Sequence, residues 1–482
     1  MGLIGVKFGT FLTIIIILIA IYYRNFDDVL QKRLVAVLHG LEKLENRYEI
    51  TDRPKVAIGY GICTDVSVRA KKLLRYNENV GNPMHFDEIN TDIELYKSYA
   101  YYFRHGAAAE RYMGNRILFD ELVAKVRKIS TSYSTIGGNA AVMALRFLKE
   151  GCDVILAAKM TKSLKQMMPQ SIKIVGGEVE RDDIHLILEY KSGEIWGPFK
   201  SSRANRYILH NDHNNPMISA LEELDKVLPD FKPDLLVIGG LQMMDNFPFE
   251  DGVRSSRLMK VHKQMINQPK STKIHFEMAS FVEQSLLNEL CNKVIPFADS
   301  LGMNEQEIGN LYNSLLYGNI SLVTDSTPRV ATILDQMRML FKLIRVKGNK
   351  IDNSRELTRI HVHTLAYQAI FTVKNSSWKN TVAAAAKASL TAHRHVCGSQ
   401  DVNLDKATLI MDDSFSTSAK SSGSRILLDE NKPVSCWDET FNINNKRIFV
   451  EVCIAPVLVC TKASQTAGGG DNISSAGLVL QI

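Results

Sequence analysis

Five short runs of apolar and β-branched residues do most to limit what this chain can fold into. They are Lys55–Gly61, Val154–Ala158, Asp234–Gly240, Lys273–Met278 and Cys453–Cys460. Each has the length of a buried strand, and segments with helical spacing stand between them. Ala140 to Glu150 is one such segment: Ala141, Leu145 and Leu148 mark a single apolar face, and Gly151 ends it. Strands that alternate with helices in this way predict a mostly parallel sheet covered by helices on both faces, a three-layer αβα sandwich in the α/β class. The region around Ile184–Tyr190 and Tyr207–His210 breaks the pattern, because strands follow one another there without helices. A smaller α+β lid domain is expected from it, inserted within about residues 67–130 and 178–212 of a body that spans 51–482. The Ser-rich stretch Asp412–Ser424 reads as a mobile insertion.

Charge and the amino terminus narrow the class further. A net charge of +6 over 482 residues, with no long basic run, leaves no footprint for nucleic acid. Phe8 to Tyr23 is uncharged and apolar between Lys7 and Arg24, so residues 1–24 read as a signal peptide or a signal anchor. No small-x-small cleavage site follows, which favours an anchor. Residues 25–50 form a linker, with Val29, Leu30, Leu34, Leu38, Leu41 and Leu44 at helical spacing for a packing helix or stalk. The seven cysteines contain no Cys-x-x-Cys pair, which argues against structural zinc. An odd count leaves at least one free thiol. In an oxidising compartment one bridge among Cys397, Cys436, Cys453 and Cys460 is expected, and spacing does not choose it. Asn319, Asn375 and Asn472 each begin a glycosylation pattern.

The chemistry concentrates at Thr466–Ser474, Thr-Ala-Gly-Gly-Gly-Asp-Asn-Ile-Ser. Gly468, Gly469 and Gly470 stand between a strand and a helix start near Asn472, where bare amides and the helix dipole favour an anion. Asp471 follows directly, placed to take a proton from an attacking hydroxyl in a phosphoryl transfer. A flexible glycine loop is the alternative. Elsewhere Asp65 follows a strand end and suits a binding group or a helix N-cap. Glu110, in a segment that begins or sits in a helix, is a ligand or a surface charge. Gly137, Gly138 and Asn139 open a helix, as a polar-ligand site or a plain tight turn. His275 and Glu277 share a strand face, and Asn304 and Glu307 share a helix's first turn. Magnesium needs a few carboxylates and water, yet Asn304–Glu307 also fits a capping box and His275 a satisfied core histidine.

Taken in order, Gly137-Gly138-Asn139, His275-x-Glu277, Asn304-x-x-Glu307 and Gly468-x-Gly470-Asp471 resemble the ADP-dependent glucokinases, a branch of the ribokinase-like sugar kinases. Gly106–Arg111, Arg359–Thr364, Asn431–Val434 and the leader resemble its animal members, and the likeness runs from about residue 50 to 482. The resemblance implies a ribokinase-like fold and transfer of the β-phosphate of ADP to the 6-hydroxyl of D-glucose. In that reading Asp471 is the base, Gly468 to Gly470 hold the phosphoryl group and Arg206 meets nucleotide phosphate. Asp65, Glu110, Gly137, Gly138, Asn139 and His185 hold glucose, and a glutamate at the Glu110 position goes with glucose rather than fructose 6-phosphate. Glu277, Glu307 and Asp471 organise Mg2+, largely through water, with His275 and Asn304 behind them. A monomer in the endoplasmic reticulum, luminal or anchored, or else secreted, completes the expectation.

One departure stands out: the chain stops at Ile482, where the family continues the helix, and a helix of about ten residues is marginal unless packed. Lower stability or activity is expected from it. The residues alone do not separate ADP from ATP, since no Gly-x-x-x-x-Gly-Lys-Ser/Thr loop is present. An ATP-using sugar or nucleoside kinase, or a non-catalytic, membrane-tethered sugar-binding protein, stays open on the residues.

Overall fold

The computed structural model describes residues 29–482 apart from 49, 51, 322–324, 326 and 421. The leader at 1–24 lies outside the described residues; among those described, no helix is long and apolar enough to cross a membrane.

Among the described residues, ten strands form the central sheet. From one edge they run Ser435–Ile443, Lys446–Pro456, Tyr367–Val373, Arg359–His363, Ser300–Asn304, Lys273–Glu277, Leu235–Ile238, Lys55–Gly59, Asp153–Ala157 and Ile172–Val175. The seven from Arg359–His363 onward are parallel, and the first three add antiparallel pairs at one edge. Successive residues of one strand enter different cores. Ala57 joins a cluster with Leu236, Ile274 and Leu301, while Val56 and Ile58 join another with Val154, Leu235 and Val237. Five helices cover the first face: Leu221–Phe231, Val253–Ile266, Gln284–Lys293, Glu305–Tyr317 and Val330–Gly348. The helix over residues 29–45, with Asn139–Lys149, Thr381–Cys397 and Gly469–Val479, covers the second. Burial on both faces is why these strands carry no alternation of apolar and polar residues. The expected three-layer sandwich is therefore the architecture.

A six-stranded mixed sheet forms the smaller lobe, in the order Glu88–Ile89, Ala109–Met113, Asn205–His210, Ile184–Tyr190, Cys63–Arg69 and Tyr133–Gly137. Here the period is two. Val66, Val68, Leu186, Leu188, Tyr207 and Leu209 pack under the lobe's helices, leaving Asp65, His185, Ile187, Glu189, Arg206 and Ile208 for the open face.

Several local expectations change. Glu110 lies on the strand Ala109–Met113, because the helix Asp92–His105 ends at Gly106, a left-handed cap. The amphipathic segment at 29–45 is no free stalk: Leu34, Val37 and Leu41 are buried, and Glu45 pairs with Arg394 at 2.8 Å and Lys387 at 3.3 Å. The Ser-rich stretch is a hairpin, Ser414–Ser416 on Arg425–Leu427, held by the buried Phe415 and by Ser418 on Asp335. Two disulfides form, Cys397–Cys460 and Cys436–Cys453, and Cys63, Cys152 and Cys291 are buried free thiols. Asn319 and Asn375 are exposed, whereas Asn472 lies in a helix's first turn and donates to the Gly468 carbonyl at 2.9 Å.

Candidate active site

Between the two lobes lies a cleft of about 1160 Å³. Its floor is the helix Gly469–Val479, which begins three residues before Asn472. Gly468 takes φ +67° at the N-cap and no side chain caps the helix, so the first amides face the cleft. Asp471 thus sits inside the first turn. The short helix is marginal alone but tightly packed here: Ala476 and Leu478 are fully buried. Gln481 accepts from Arg359 Nε at 2.6 Å and donates to Thr372 Oγ1 at 3.3 Å.

Asn139 joins distant parts of the chain at this point. Its Nδ2 donates to Asp471 Oδ1 at 2.8 Å across 332 residues, and its Oδ1 accepts from Gln242. Burial, then the nearby negative charge of Glu277, raises the Asp471 carboxyl to about 6, against the pull of Asn139. A carboxylate tuned to that range can hold or release a proton near neutrality.

Glu277 stands at the end of the strand Lys273–Glu277. Its Oε2 accepts from His275 Nε2 at 2.7 Å and Ser474 Oγ at 2.6 Å. Behind it Arg359 Nη1 donates to Ser300 Oγ at 3.1 Å, and Ser300 reaches His275 Nδ1 at 2.8 Å, so a chain of buried donors orients the carboxylate. Burial opposes ionisation of Glu277, but the hydrogen bond from His275 and the nearby His363 prevail and hold it at about 2. Gly302 makes room, since a Cβ there would stand 2.3 Å from Glu277 Oε2.

Asn304 and Glu307 form the capping box as well as lining the cleft. Asn304 Oδ1 accepts from the Gln306 and Glu307 amides, and both Glu307 oxygens accept from Asn304, at 2.7 and 2.8 Å. Burial pushes Glu307 to about 7. Among the described residues, no cluster of three ligand atoms within 4.8 Å includes Glu277, Glu307 or Asp471. With most of their oxygens already taken, these carboxylates fit a magnesium ion reached through its water shell rather than a direct three-carboxylate cage.

Opposite, on the lid sheet, Asp65, Glu110, His185 and Arg206 share the open face. His185 Nδ1 lies 3.4 Å from Glu110 Oε1, and its Nε2 donates to Asp212 Oδ2 at 2.9 Å. Burial raises Asp65 and Glu110 above their ordinary values, offset by His185 and Arg206. Burial would lower His185, but the charge and hydrogen bond of Asp212 lift it to about 10.

Of the residues singled out from sequence, Gly137 and His275 stand behind the wall and the rest line the cleft. Gly137 is needed for space: a Cβ would come within 1.9 Å of Asp65 Oδ1. Sequence reading missed Gln242, Glu189, Arg203, His363, Ser474 and Asp212. His363 lines the cleft 3.6 Å from Glu277 Oε1 and packs under Gly470. Its signal was present in Arg359–Thr364, where alternate histidines on one strand share a face. Arg203 crosses the cleft to Glu305 at 2.9 Å.

The fold and this cleft are those of a two-lobed sugar kinase. Residues 54–480 match the ADP-specific phosphofructokinase/glucokinase conserved region, and the chain belongs to that family. It is 31% identical over 429 residues to the ADP-dependent glucokinase of Bos taurus, covering 88% of this chain and 84% of the relative. It is 28% identical over 435 residues to a probable ADP-dependent glucokinase of Caenorhabditis elegans, with the same coverage. Among solved structures, an ADP-dependent kinase in complex with fructose 6-phosphate and ADPβS superposes with a TM-score of 0.65, at 16% identity, over 93% of this chain and 97% of that one. That likeness shows the fold.

Proposed function

We propose that this chain is an ADP-dependent glucokinase, transferring the β-phosphate of ADP to the 6-hydroxyl of D-glucose to give glucose 6-phosphate and AMP. The observation that carries the reading is the Asn139–Asp471 hydrogen bond, which sets a carboxylate of about 6 between the lid's sugar-sized ring of polar groups and a bare helix start. Glucose lies against Asp65, Glu110, Asn139 and His185, which offer acceptors and donors to its hydroxyls. Asp471 takes the proton of the 6-hydroxyl as the new O–P bond forms, and the bond from the β-phosphorus to the bridging oxygen breaks, leaving AMP. The amides after Gly468 and the Arg206 guanidinium hold the charge that develops on the phosphoryl oxygens. Magnesium, held by Glu277 and Glu307 through water, would supply charge neutralisation on the ADP phosphates. His275, Ser474 and Asn304 keep those two carboxylates oriented.

One assay tests this: turnover of glucose by purified protein with ADP and ATP side by side. Strong turnover with ADP and little with ATP is expected; equal or better turnover with ATP overturns the donor assignment. Binding of glucose with no turnover by either donor would leave a sugar-binding protein. We also propose that the body works as a monomer, since the site is complete within one chain, and that it resides in the endoplasmic reticulum. The two disulfides support an oxidising compartment. Fractionation with and without carbonate extraction checks location and anchoring together.

A further inference from the structure

The sugar wall is backed by a group that the reaction above does not use. Asp212 lies on the segment that leaves the lid strand Asn205–His210 for the body, and its side chain is completely buried. Its Oδ2 accepts from His185 Nε2 at 2.9 Å and from Asn215 Nδ2 at 2.7 Å. Its Oδ1 has no hydrogen bond among the described residues and stands 3.8 Å from His210 Nδ1. Asn215 in turn clamps the chain where it first enters the lid, accepting from the Ile62 amide at 3.1 Å and donating to the Ile62 carbonyl at 3.1 Å. Asp183, at another entry into the lid, accepts from the amides of His213, Asn214 and Asn215 at 2.8 to 3.0 Å. Three crossings between the lobes therefore meet at one polar knot, and Asp212 is its outlet to the cleft.

We infer that Asp212 is a positioning residue for the sugar: it fixes the His185 ring so that Nδ1–H points into the cleft beside Glu110, and it ties that aim to the hinge at Ile62. The inference rests on the glucose reading and deepens it. An imidazole held by a carboxylate at Nε2 has one nitrogen committed, so the other is defined as the face shown to the ligand. Without Asp212 the ring could turn or neutralise, and Nδ1 would lose its proton to offer. The groups around His185 are Asp212, Glu110, Asp65, Cys63, His210 and Arg206. Asp212, Glu110 and Asp65 favour the imidazolium. His210 stays neutral, since burial and then the cations His185 and Arg111 hold it at about 4 despite Asp212. One positive ring among three carboxylates gives a wall that can donate as well as accept, as a polyhydroxyl ligand requires. His185, His210 and Asp212 also lie within metal-ligand reach of one another, which the test addresses.

Asp212→Asn keeps the shape and removes the charge. It should raise the KM for glucose by about 10- to 100-fold, the usual range for losing a hydrogen bond to a charged partner, with kcat less changed and the KM for ADP unchanged. An unaltered glucose KM beside an active wild type overturns this inference alone. A wild type that turns over ADP with no preference for glucose overturns the parent reading instead. A second measurement needs neither turnover nor a stable variant: nitrogen NMR of histidine-labelled wild type, with His185→Gln for assignment. A doubly protonated His185 at neutral pH is expected, and a neutral ring or an unprotonated Nε2 sinks the idea. In folded Asp212→Asn the same signal should lose its second proton at lower pH than in the wild type. Loss of glucose affinity on adding phenanthroline in excess magnesium would also overturn it, by making the group a transition-metal site.

Discussion

The two walls of the cleft are both acidic and both buried, yet they handle charge in opposite ways. On the lid, Asp65 and Glu110 gather around one cation, His185, with Arg206 close by. On the body, Glu277, Glu307 and Asp471 are held by hydrogen bonds from neutral donors. His363 stands beside them, 3.6 Å from Glu277; burial would lower its pKa, but Glu277 and Glu307 raise it. Body carboxylates also spread apart in acidity: Glu277 falls to about 2 while Asp471 rises to about 6 and Glu307 to about 7. Pairs whose environments push them apart can divide labour between fixed charge and proton transfer. A wall with its own cation suits a neutral polyol. A wall of carboxylates already held by hydrogen bonds suits a hydrated cation and the phosphates it carries.

The sharpest way to break this contrast is Asp471→Asn. It should lower kcat by about 10²- to 10⁴-fold, the range for a lost general base, while glucose still raises the melting temperature. Loss of glucose binding together with turnover would move Asp471 from the reacting centre to the sugar wall.

Next in size, Glu110→Ala should cost about 1–3 kcal/mol in kcat/KM for glucose, as one buried hydrogen-bond partner is removed. Arg254→Ala is the control, because Arg254 pairs with Glu283 and Glu289 and does not line the cleft. Equal effects of the two changes would dissolve the distinction between lid wall and scaffold.

A pH profile separates the walls without mutation. Asp471 must be ionised to accept a proton, and burial raises it to about 6. kcat/KM should therefore fall at least about tenfold per unit as pH drops below that value, with Glu307, at about 7, losing its charge over the same range, and Asp471→Asn should remove the step near 6. On the lid side His185, lifted to about 10, contributes no break near neutrality. A profile flat through the acid range would contradict the assignment of the base.

The smallest expected effect sharpens how the walls come together. Arg203, on the lid, reaches Glu305 on the body, and the arginine is 26% exposed. An exposed pair is worth about 0.2–1 kcal/mol, and with Glu305 only 8% exposed this one stands at the upper end, so Arg203→Ala should change the KM for ADP about fivefold. The difference should shrink at high salt, and a far larger rise in the KM for ADP would mean that Arg203 contacts the nucleotide directly.

What the amino-acid string determined by itself is whatever depends on period and neighbours. Unbroken apolar runs such as Leu235–Ile238 declare strands buried on both faces, and the alternation with helices declares a parallel sheet, because these are local consequences of burial. The glycine-rich junction at Gly468 and the Asn304–Glu307 capping box were legible for the same reason. Which residues face each other was not. Asn139 meets Asp471 across 332 positions, and no local pattern marks Asp212, buried on a connecting segment, or Arg203, on a loop. Glu110 was placed in the wrong kind of element, since a left-handed glycine and sheet pairing outweighed the helical look of its alanines. Helix spacing and strand burial are short-range properties written in the order of residues. Convergence of two lobes on one cleft is decided only when sheets, hinges and buried charges are satisfied together in three dimensions.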